Sequence, residues 1–320
     1  MTVTYYKLTR IATFIIGLVC AWGAFALTPE ELSKYTVKAE EGDDYSQMLI
    51  MDHFQRKKDY QTANKWAHTL HDNTSASEKR RGTACQYLGV NAYNGYGMTE
   101  STDDARNWWK LGAELGDDHS ARLMAEIHDD NRLPALLDRA EAWKWYVKAA
   151  DLGNNHCCRL VARQYDEAPP AGNSVRPDSI YPGLTRNIAL STKYWEKFLS
   201  SRKSYKPAEG GYVGYYRKGY PDIYYLLAGR YFTGEGGVTQ DFAKAVEYYV
   251  EAVNTTEHTE HNAADARPLT DEEAGEAMWR ISTCYRFGRG VVQNELTARK
   301  WTRRAAAKGH SAARQLLGKN

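Results

Sequence analysis

The sequence predicts an all-α fold built from stacked helical hairpins. The main observation is a pattern that occurs four times: an alanine, an aromatic residue three positions later, and small or apolar residues seven and eight positions later. The copies are Ala105/Trp108/Gly112-Ala113, Ala142/Trp145/Ala149-Ala150, Ala245/Tyr248/Ala252-Val253 and Ala298/Trp301/Ala305-Ala306. Such spacings put these positions on one face of an α-helix. Because no copy can bury that face alone, the copies must stack as a helical solenoid.

A second pattern precedes three of these helices and predicts how each hairpin turns. An aliphatic residue is followed by glycines seven and nine positions later: Gly95/Gly97, Gly234/Gly236 and Gly288/Gly290. A chain that ends one helix and reverses needs positive φ, which glycine adopts without steric cost. A polar cap then opens the second helix, and a glycine closes it. The predicted caps are Asp103, Asp241 and Asn294, and the closing glycines are Gly116, Gly153 and Gly309.

Two degenerate copies extend the array to about five to six repeats. One has Ser191, Tyr194 and Phe198-Leu199 in the recurring positions, and the other has Ala63, Trp66 and Leu70 after a helix predicted through residues 48–54. In the hairpin before Ala142, residues 129–134 replace the glycine turn, and Pro134 prevents the helix from continuing. A capping box of Thr28 and Glu31 predicts the first helix, and residues 311–317 predict a closing one.

The order of these residues resembles the Sel1-like repeat, a relative of the tetratricopeptide repeat. The shared pattern is Leu-Gly-x-x-Tyr-x-x-Gly-x-Gly-Val, then Ala-x-x-Trp/Tyr, then Ala-Ala-x-x-Gly, over roughly residues 83–153 and 222–318. The resemblance implies a right-handed α/α superhelix that contacts other proteins, often in exported bacterial proteins. Proteins of this architecture and size that carry a signal peptide occur as periplasmic partners of toxic type VI secretion lipases. The resemblance therefore implies an immunity protein as the most specific function.

The N-terminus has the features of a cleaved signal peptide. Lys7 and Arg10 precede an apolar run over residues 11–21, and Ala24-Phe25-Ala26 supplies a cleavage site after Ala26. The run is shorter than the roughly 20 residues that span a bilayer. We expect a signal peptide over 1–26, N-terminal helices over 27–80, a solenoid over 81–320 and a periplasmic location. A net charge of +2 argues against nucleic acid as the main partner.

Three segments are longer than the repeat requires: residues 166–187, 202–222 and 254–273. The middle segment combines tyrosine, glycine and basic residues, a composition typical of binding loops. The residues predicted to contact a protein partner are Tyr205, Tyr212, Tyr215, Tyr216, Arg217, Lys218 and Tyr220. The alternative is that the loop folds back and packs its tyrosines on neighbouring helices.

Catalytic and metal-binding motifs are poorly represented. No nucleophile elbow, Walker loop, dinucleotide fingerprint or zinc quartet occurs. His258 and His261 lack a clear third ligand, so an acidic solvated loop is the better interpretation. The cysteines beyond the leader (Cys85, Cys157, Cys158, Cys284) are predicted to be free and buried. We expect a non-enzymatic protein without cofactor or metal; the alternatives are an envelope scaffold or regulatory adaptor, and a hydrolase with a reactive thiol.

Overall fold

The computed structural model describes residues 27–168, 181–203, 219–257 and 266–318. Within these ranges the chain forms fourteen α-helices and one 3-10 turn and contains no β-strand, which confirms the all-α prediction. The leader expected over residues 1–26 and the His258/His261 pair lie outside the described ranges. The helices divide between two compact units, with the boundary between Met124 and Ala125.

Unit 1 contains the N-terminal helices and the first full hairpin. Its helices are α1 (Pro29–Glu40), α2 (Asp44–Arg56), α3 (Tyr60–Asp72), α4 (Glu78–Asn94) and α5 (Thr102–Glu114). Helix α6 (Asp118–His128) contains the boundary between the units. Helix α1 begins with the predicted capping box: the Glu31 N–H donates to Thr28 Oγ1 over 3.2 Å, and the Thr28 N–H donates to Glu31 Oε2 over 2.9 Å. Met51, Leu70 and Leu88 lie in a fully buried core cluster.

Unit 2 contains the remaining hairpins. Its helices are α7 (Arg139–Leu152), α8 (Asn155–Glu167), α9 (Ile188–Lys203), α10 (Pro221–Thr233), α11 (Phe242–Glu257), α12 (Asp271–Phe287), α13 (Glu295–Ala307) and α14 (Ser311–Gly318). The 3-10 turn spans Glu235–Gly237. One core cluster joins α10 to α14 through Ala228, Tyr249, Ile281, Ala305 and Ala313. Helix α14 matches the predicted closing helix.

The Gly-x-Gly turns have a second role besides reversing the chain. All six of their glycines have positive φ, between 63° and 72°. The second glycine of each turn also lies against the start of an earlier helix: Gly97 on Tyr60, Gly236 on Ile188, and Gly290 on Phe242. A Cβ at any of these positions would collide with that helix start. The turn therefore requires glycine for its backbone and for the stacking of hairpins within a unit.

Two boundary predictions are corrected by the structure. Ser101, not Asp103, caps α5, because Ser101 Oγ accepts the Asp104 N–H over 3.1 Å and Asp103 lies inside the first turn. Asp241 and Asn294 do accept N–H groups at the starts of α11 and α13. Helices α8, α9 and α11 extend to Glu167, Lys203 and Glu257 and so include parts of the predicted insertions. The spacing between repeats shows that a hairpin carries extra residues, but it does not show where the helix before those residues ends.

Candidate protein-binding surface

The recurring aromatic residues are half-buried, and the side chain one position later is the buried one. The pairs are Trp108/Trp109, Trp145/Tyr146, Tyr248/Tyr249 and Trp301/Thr302. The degenerate copy that begins at Ser191 differs from these four, because Tyr194 and Trp195 are both buried. Trp108, Tyr248 and Trp301 still pack against the core clusters, but the residue at the fourth position is the more deeply buried one. Positions three and four both lie near the alanine's face, and the neighbouring helix selects the fourth.

Three of the four half-buried rings, those of Trp108, Trp145 and Trp301, have basic side chains against them. His68 and His71 meet the Trp108 ring edge-to-face, with centroids 5.4 and 5.3 Å away. Lys148 Nζ lies 5.0 Å from the Trp145 ring, and the Arg304 guanidinium lies 4.2 Å from the Trp301 ring. A ring that packs on the core and stacks a cation on its free face combines apolar area with charge. Protein interfaces use aromatic and basic side chains in this way.

A cleft in unit 2 is centred on the carboxylate of Glu196, and we call it the Glu196 cleft. It has a volume of about 390 Å³ and is lined by residues from α9 to α11. Glu196 Oε1 accepts hydrogen bonds from the hydroxyls of Tyr231 over 2.7 Å and Tyr248 over 3.1 Å. Lys244 Nζ lies 3.4 Å from the same oxygen and 4.7 Å from the Tyr231 ring centroid. Three helices thus hold one carboxylate in a fixed position.

Burial and charge keep the groups around Glu196 in defined protonation states. Burial, reinforced by the Glu196 charge, raises the pKa of the Tyr248 hydroxyl far above its ordinary value. Burial and the hydrogen bond to Glu196 also raise the pKa of Tyr231. Burial lowers the pKa of Lys244, but Tyr231 and Glu196 outweigh it and the net pKa is raised. At neutral pH the phenols donate and the ammonium keeps its charge.

A second cleft lies beside Glu276, and we call it the Glu276 cleft. It has a volume of about 610 Å³, and its lining includes Tyr225, Arg280, Lys308 and His310. Arg280 donates to Glu276 Oε1 over 2.6 Å and to the Tyr249 hydroxyl over 2.6 Å. His310 Nε2 lies 3.1 Å from Glu276 Oε2, and its ring stacks on Trp279 at 5.1 Å. The cleft therefore presents fixed charges of both signs.

The electrostatics of the Glu276 cleft favour the ionised forms. Burial raises the pKa of Glu276, but the hydrogen bonds and charges of Arg280 and His310 outweigh burial and lower it overall. Nearby, Arg267 and the Thr270 cap hold the pKa of Glu273 at about 2. A carboxylate held by a guanidinium remains charged well below neutral pH. The sequence carried no signal for either cleft, because each assembles residues from separate hairpins.

The repeats match a known family. The family model described as the Sel1 repeat matches residues 82–117, 123–154, 221–254 and 275–310. The chain carries four Sel1 repeats. The matched segments include the four alanine–aromatic patterns, whereas the two degenerate copies lie outside them. No curated protein matches the chain. The Sel1 repeat fits a protein-interaction scaffold, as the resemblance implied.

Solved structures similar to the chain also carry this repeat in their names. A Sel1 repeat protein from Oxalobacter formigenes is 18% identical, with 85% of this chain and 86% of that chain covered and a TM-score of 0.38. A protective antigen of uropathogenic Escherichia coli strains, displaying an SLR fold, is 18% identical, with 97% and 71% covered and a TM-score of 0.38. A sel1 repeat protein from Klebsiella pneumoniae subsp. pneumoniae is 17% identical, with 75% and 92% covered and a TM-score of 0.26.

The described cysteines are buried in helices, and the two with a shifted pKa are protonated. All four of Cys85, Cys157, Cys158 and Cys284 are free thiols, as predicted. Burial raises the pKa of Cys85 to about 12 and that of Cys284 to about 11. A nucleophilic cysteine needs a lowered pKa and access to solvent. Neither thiol has these properties, which argues against thiol chemistry at Cys85 or Cys284.

Most of the predicted binding loop lies outside the described residues. This applies to Tyr205, Tyr212, Tyr215, Tyr216, Arg217 and Lys218. Tyr220 is described and is 3% exposed. Its ring packs edge-to-face on Phe198 with centroids 5.0 Å apart, and Arg159 lies 5.9 Å from the ring. Tyr220 thus fits the alternative in which a loop tyrosine packs on neighbouring helices.

Residues 27–168, 181–203, 219–257 and 266–318 contain neither a metal-ligand cluster nor a membrane-spanning helix. Within those ranges, no group of three or more His, Cys, Asp or Glu side chains is arranged to hold a metal ion. No helix in the same ranges is both long and apolar enough to cross a membrane.

Proposed function

We propose that the chain is an exported, non-enzymatic protein-binding scaffold, and more specifically a periplasmic immunity protein that inhibits a toxic effector. The main support is that the Glu196 and Glu276 clefts hold tyrosines and opposite charges in fixed positions on Sel1 hairpins. Preorganised side chains of this kind lose little entropy when a partner binds. The predicted leader over residues 1–26 supports export.

The proposed mechanism is steric occlusion of the effector. A rigid array of hairpins supplies the clefts, and the loop over residues 205–218 supplies tyrosines and cations that reach the partner. Tyrosine gives large contact area with few rotatable bonds, and arginine adds charged hydrogen bonds. An effector whose active-site entrance is covered in this way cannot reach its substrate. A phospholipase delivered by type VI secretion is the effector class that we propose.

Sibling competition tests the immunity proposal directly. The gene is deleted in a strain with active type VI secretion, and the deletion cells are mixed with wild-type siblings. We expect the deletion cells to be killed and to be rescued by the full chain. Rescue should fail with a Tyr215→Ala/Tyr216→Ala/Arg217→Ala loop variant, because binding hot spots are enriched in tyrosine and arginine.

Two further variants and one control define the surface. Lys244→Gln changes the Glu196 cleft, and Lys308→Gln changes the Glu276 cleft. The variant whose cleft contacts the effector should rescue the deletion cells less well than the original chain. Lys34→Gln/Lys57→Gln, on exposed residues of the N-terminal helices, should rescue fully. Survival of the deletion cells, with no toxic lipase bound to the purified chain, refutes the immunity proposal. Retrieval of envelope assembly proteins in its place identifies the scaffold alternative.

A further inference from the structure

The last Sel1 hairpin, α12–α13, carries exposed apolar side chains at its turn. Phe287, Val292 and Leu296 are 62%, 89% and 75% exposed. We call these three residues the apolar tip. The turn that carries them is closed by a hydrogen bond from the Asn294 N–H to the Tyr285 carbonyl over 2.9 Å. The apolar tip therefore belongs to one end of one hairpin.

The Sel1 repeat itself does not require an apolar tip. Aligning the residue before the turn on the turn glycine, and the later residues on the anchor alanine, places Asn94, Thr99 and Asp103 at the same positions in α4–α5. The same alignment places Thr233, Thr239 and Ala243 in α10–α11, whose turn is one residue longer. These residues are polar or small, and Thr99, Asp103, Thr233 and Thr239 are exposed. Single exposed apolar residues are ordinary, but three at one turn where other repeats are polar indicate a binding surface.

The exposed face of α13 continues from the apolar tip as a basic stripe. Arg299, Lys300 and Arg303 follow Leu296 by three, four and seven positions, so all four lie on one helix face. All three cations are exposed. Arg299 pairs with Glu295 over 3.0 Å. Among the described residues, no carboxylate lies within ion-pair distance of Lys300 or Arg303.

The whole segment from Arg286 onward is strongly basic. Residues 286–318 contain eight lysines and arginines but only one acidic residue, Glu295. The complete chain has a net charge of only +2, so its positive charge is concentrated at this end of the sequence. Other second helices differ, because α11 has three glutamates and one lysine. The basic stripe is therefore a feature of this hairpin rather than of the family pattern.

We propose that the apolar tip and the basic stripe dock the chain on an anionic phospholipid bilayer. Anionic headgroups attract the cations, and the three apolar side chains insert among the headgroups and upper acyl chains. A bilayer is favoured over an acidic protein because the apolar side chains protrude rather than line a groove. A fluid interface accepts a protruding side chain, whereas a protein partner needs a matching cavity. This inference does not depend on the proposed effector.

Vesicle co-sedimentation of the full chain tests the proposal. One set of vesicles is phosphatidylcholine alone, and the other is equal parts phosphatidylcholine and phosphatidylglycerol. We expect binding to the phosphatidylglycerol vesicles and its loss when the salt concentration is raised. Residues 11–21 carry no charge, so the phosphatidylcholine arm reports any binding through them. Arg299→Gln/Lys300→Gln/Arg303→Gln should weaken binding to anionic vesicles on the order of 100-fold.

Matched variants separate the basic stripe from general charge. Lys34→Gln/Lys57→Gln/Lys65→Gln removes the same charge from exposed lysines in unit 1 and should bind vesicles like the original chain. Phe287→Ser/Val292→Ser/Leu296→Ser tests insertion, and because its side chains are exposed, thermal unfolding should be unchanged. The proposal is overturned if the unit 1 variant loses as much vesicle binding as the basic-stripe variant. Failure of the full chain to bind anionic vesicles while it is retained by poly-glutamate or DNA also overturns it.

Discussion

The hairpins α4–α5 and α12–α13 share one register but fill it with different side chains. Both pair a 17-residue helix with a 13-residue helix. In α4–α5 a glycine, Gly89, faces the indole of Trp109, which is 1% exposed. In α12–α13 the equivalent residues are Ser282 and Thr302, whose hydroxyl oxygens lie 2.7 Å apart. The two positions therefore face each other in both hairpins, but a glycine and an indole fill them in one and two hydroxyl side chains fill them in the other.

The same two hairpins also differ on their outer surface. The turn of α4–α5 is polar, whereas that of α12–α13 carries the apolar tip and continues into the basic stripe. Stacking of the hairpins buries only the inner helix faces. The side chains on the outer faces can therefore differ between hairpins without disrupting the repeat. A shared inner contact and variable outer chemistry allow one architecture to serve different contacts. Of the following four predictions, the first three test the inner difference and the fourth tests the start of α12.

Trp109→Thr should cause the largest loss of stability. Removing a fully buried indole opposite a glycine leaves a cavity that neither helix can close, so we expect about 3–5 kcal/mol of destabilisation. Urea unfolding followed by circular dichroism measures it. Trp108→Thr is the matched control, since its ring is half-buried, and should cost clearly less. Equal losses would contradict the assignment of the fourth position as the core.

Gly89→Ser should destabilise the chain by about 1–3 kcal/mol, because a Cβ there collides with the Trp109 indole. In a Trp109→Thr background the same change should recover part of the lost stability by recreating the Ser/Thr pair of α12–α13. A double-mutant cycle measures this coupling. Simple additivity of the two changes would show that the pair does not share one volume.

Thr302→Val should destabilise the chain by about 1 kcal/mol. The change removes the Ser282–Thr302 hydrogen bond and the contacts of the Thr302 hydroxyl with the Ala298 carbonyl and Arg286. The Ser282 hydroxyl still donates to the Ala298 carbonyl over 3.0 Å. Ser282 therefore keeps one partner, which limits the loss. Thermal unfolding against Thr297→Val, a less buried threonine of the same helix, provides the control. A loss as large as that of Trp109→Thr would contradict this account.

Acidification should weaken the start of α12 by a smaller amount. Glu273 has a pKa of about 2 in the folded chain, below its ordinary 4.5, so the unfolded chain binds its proton more readily. The contribution of ionised Glu273 to the free energy of unfolding is present above about pH 4.5 and disappears as the pH falls towards 2. Arg267 is half exposed, and solvent screening limits the effect to roughly 1 kcal/mol or less. Arg267→Met should flatten this part of the pH–stability curve; an unchanged slope would refute it.

Much of the fold could be predicted because short-range rules govern it. The Thr28/Glu31 capping box, the positive-φ glycines of the turns and the anchor alanines depend on neighbours within a few residues. The choice of Trp109 over Trp108 could not be predicted, since both lie near the Ala105 face and only the packed neighbour distinguishes them. The Glu196 cleft was unpredictable for the same reason: Glu196 and Lys244 are 48 residues apart and come together only through hairpin packing.

The amino-acid sequence by itself determined the helical hairpin, its repetition and its family, because each follows from periodicity and from residues with special backbone preferences. The tertiary structure decided which side of each stripe is buried, which charges meet in the clefts, and which apolar residues remain exposed at the α12–α13 turn. These outcomes depend on the shape of the neighbouring helix. No local spacing carries that information, since packing is a property of two surfaces together.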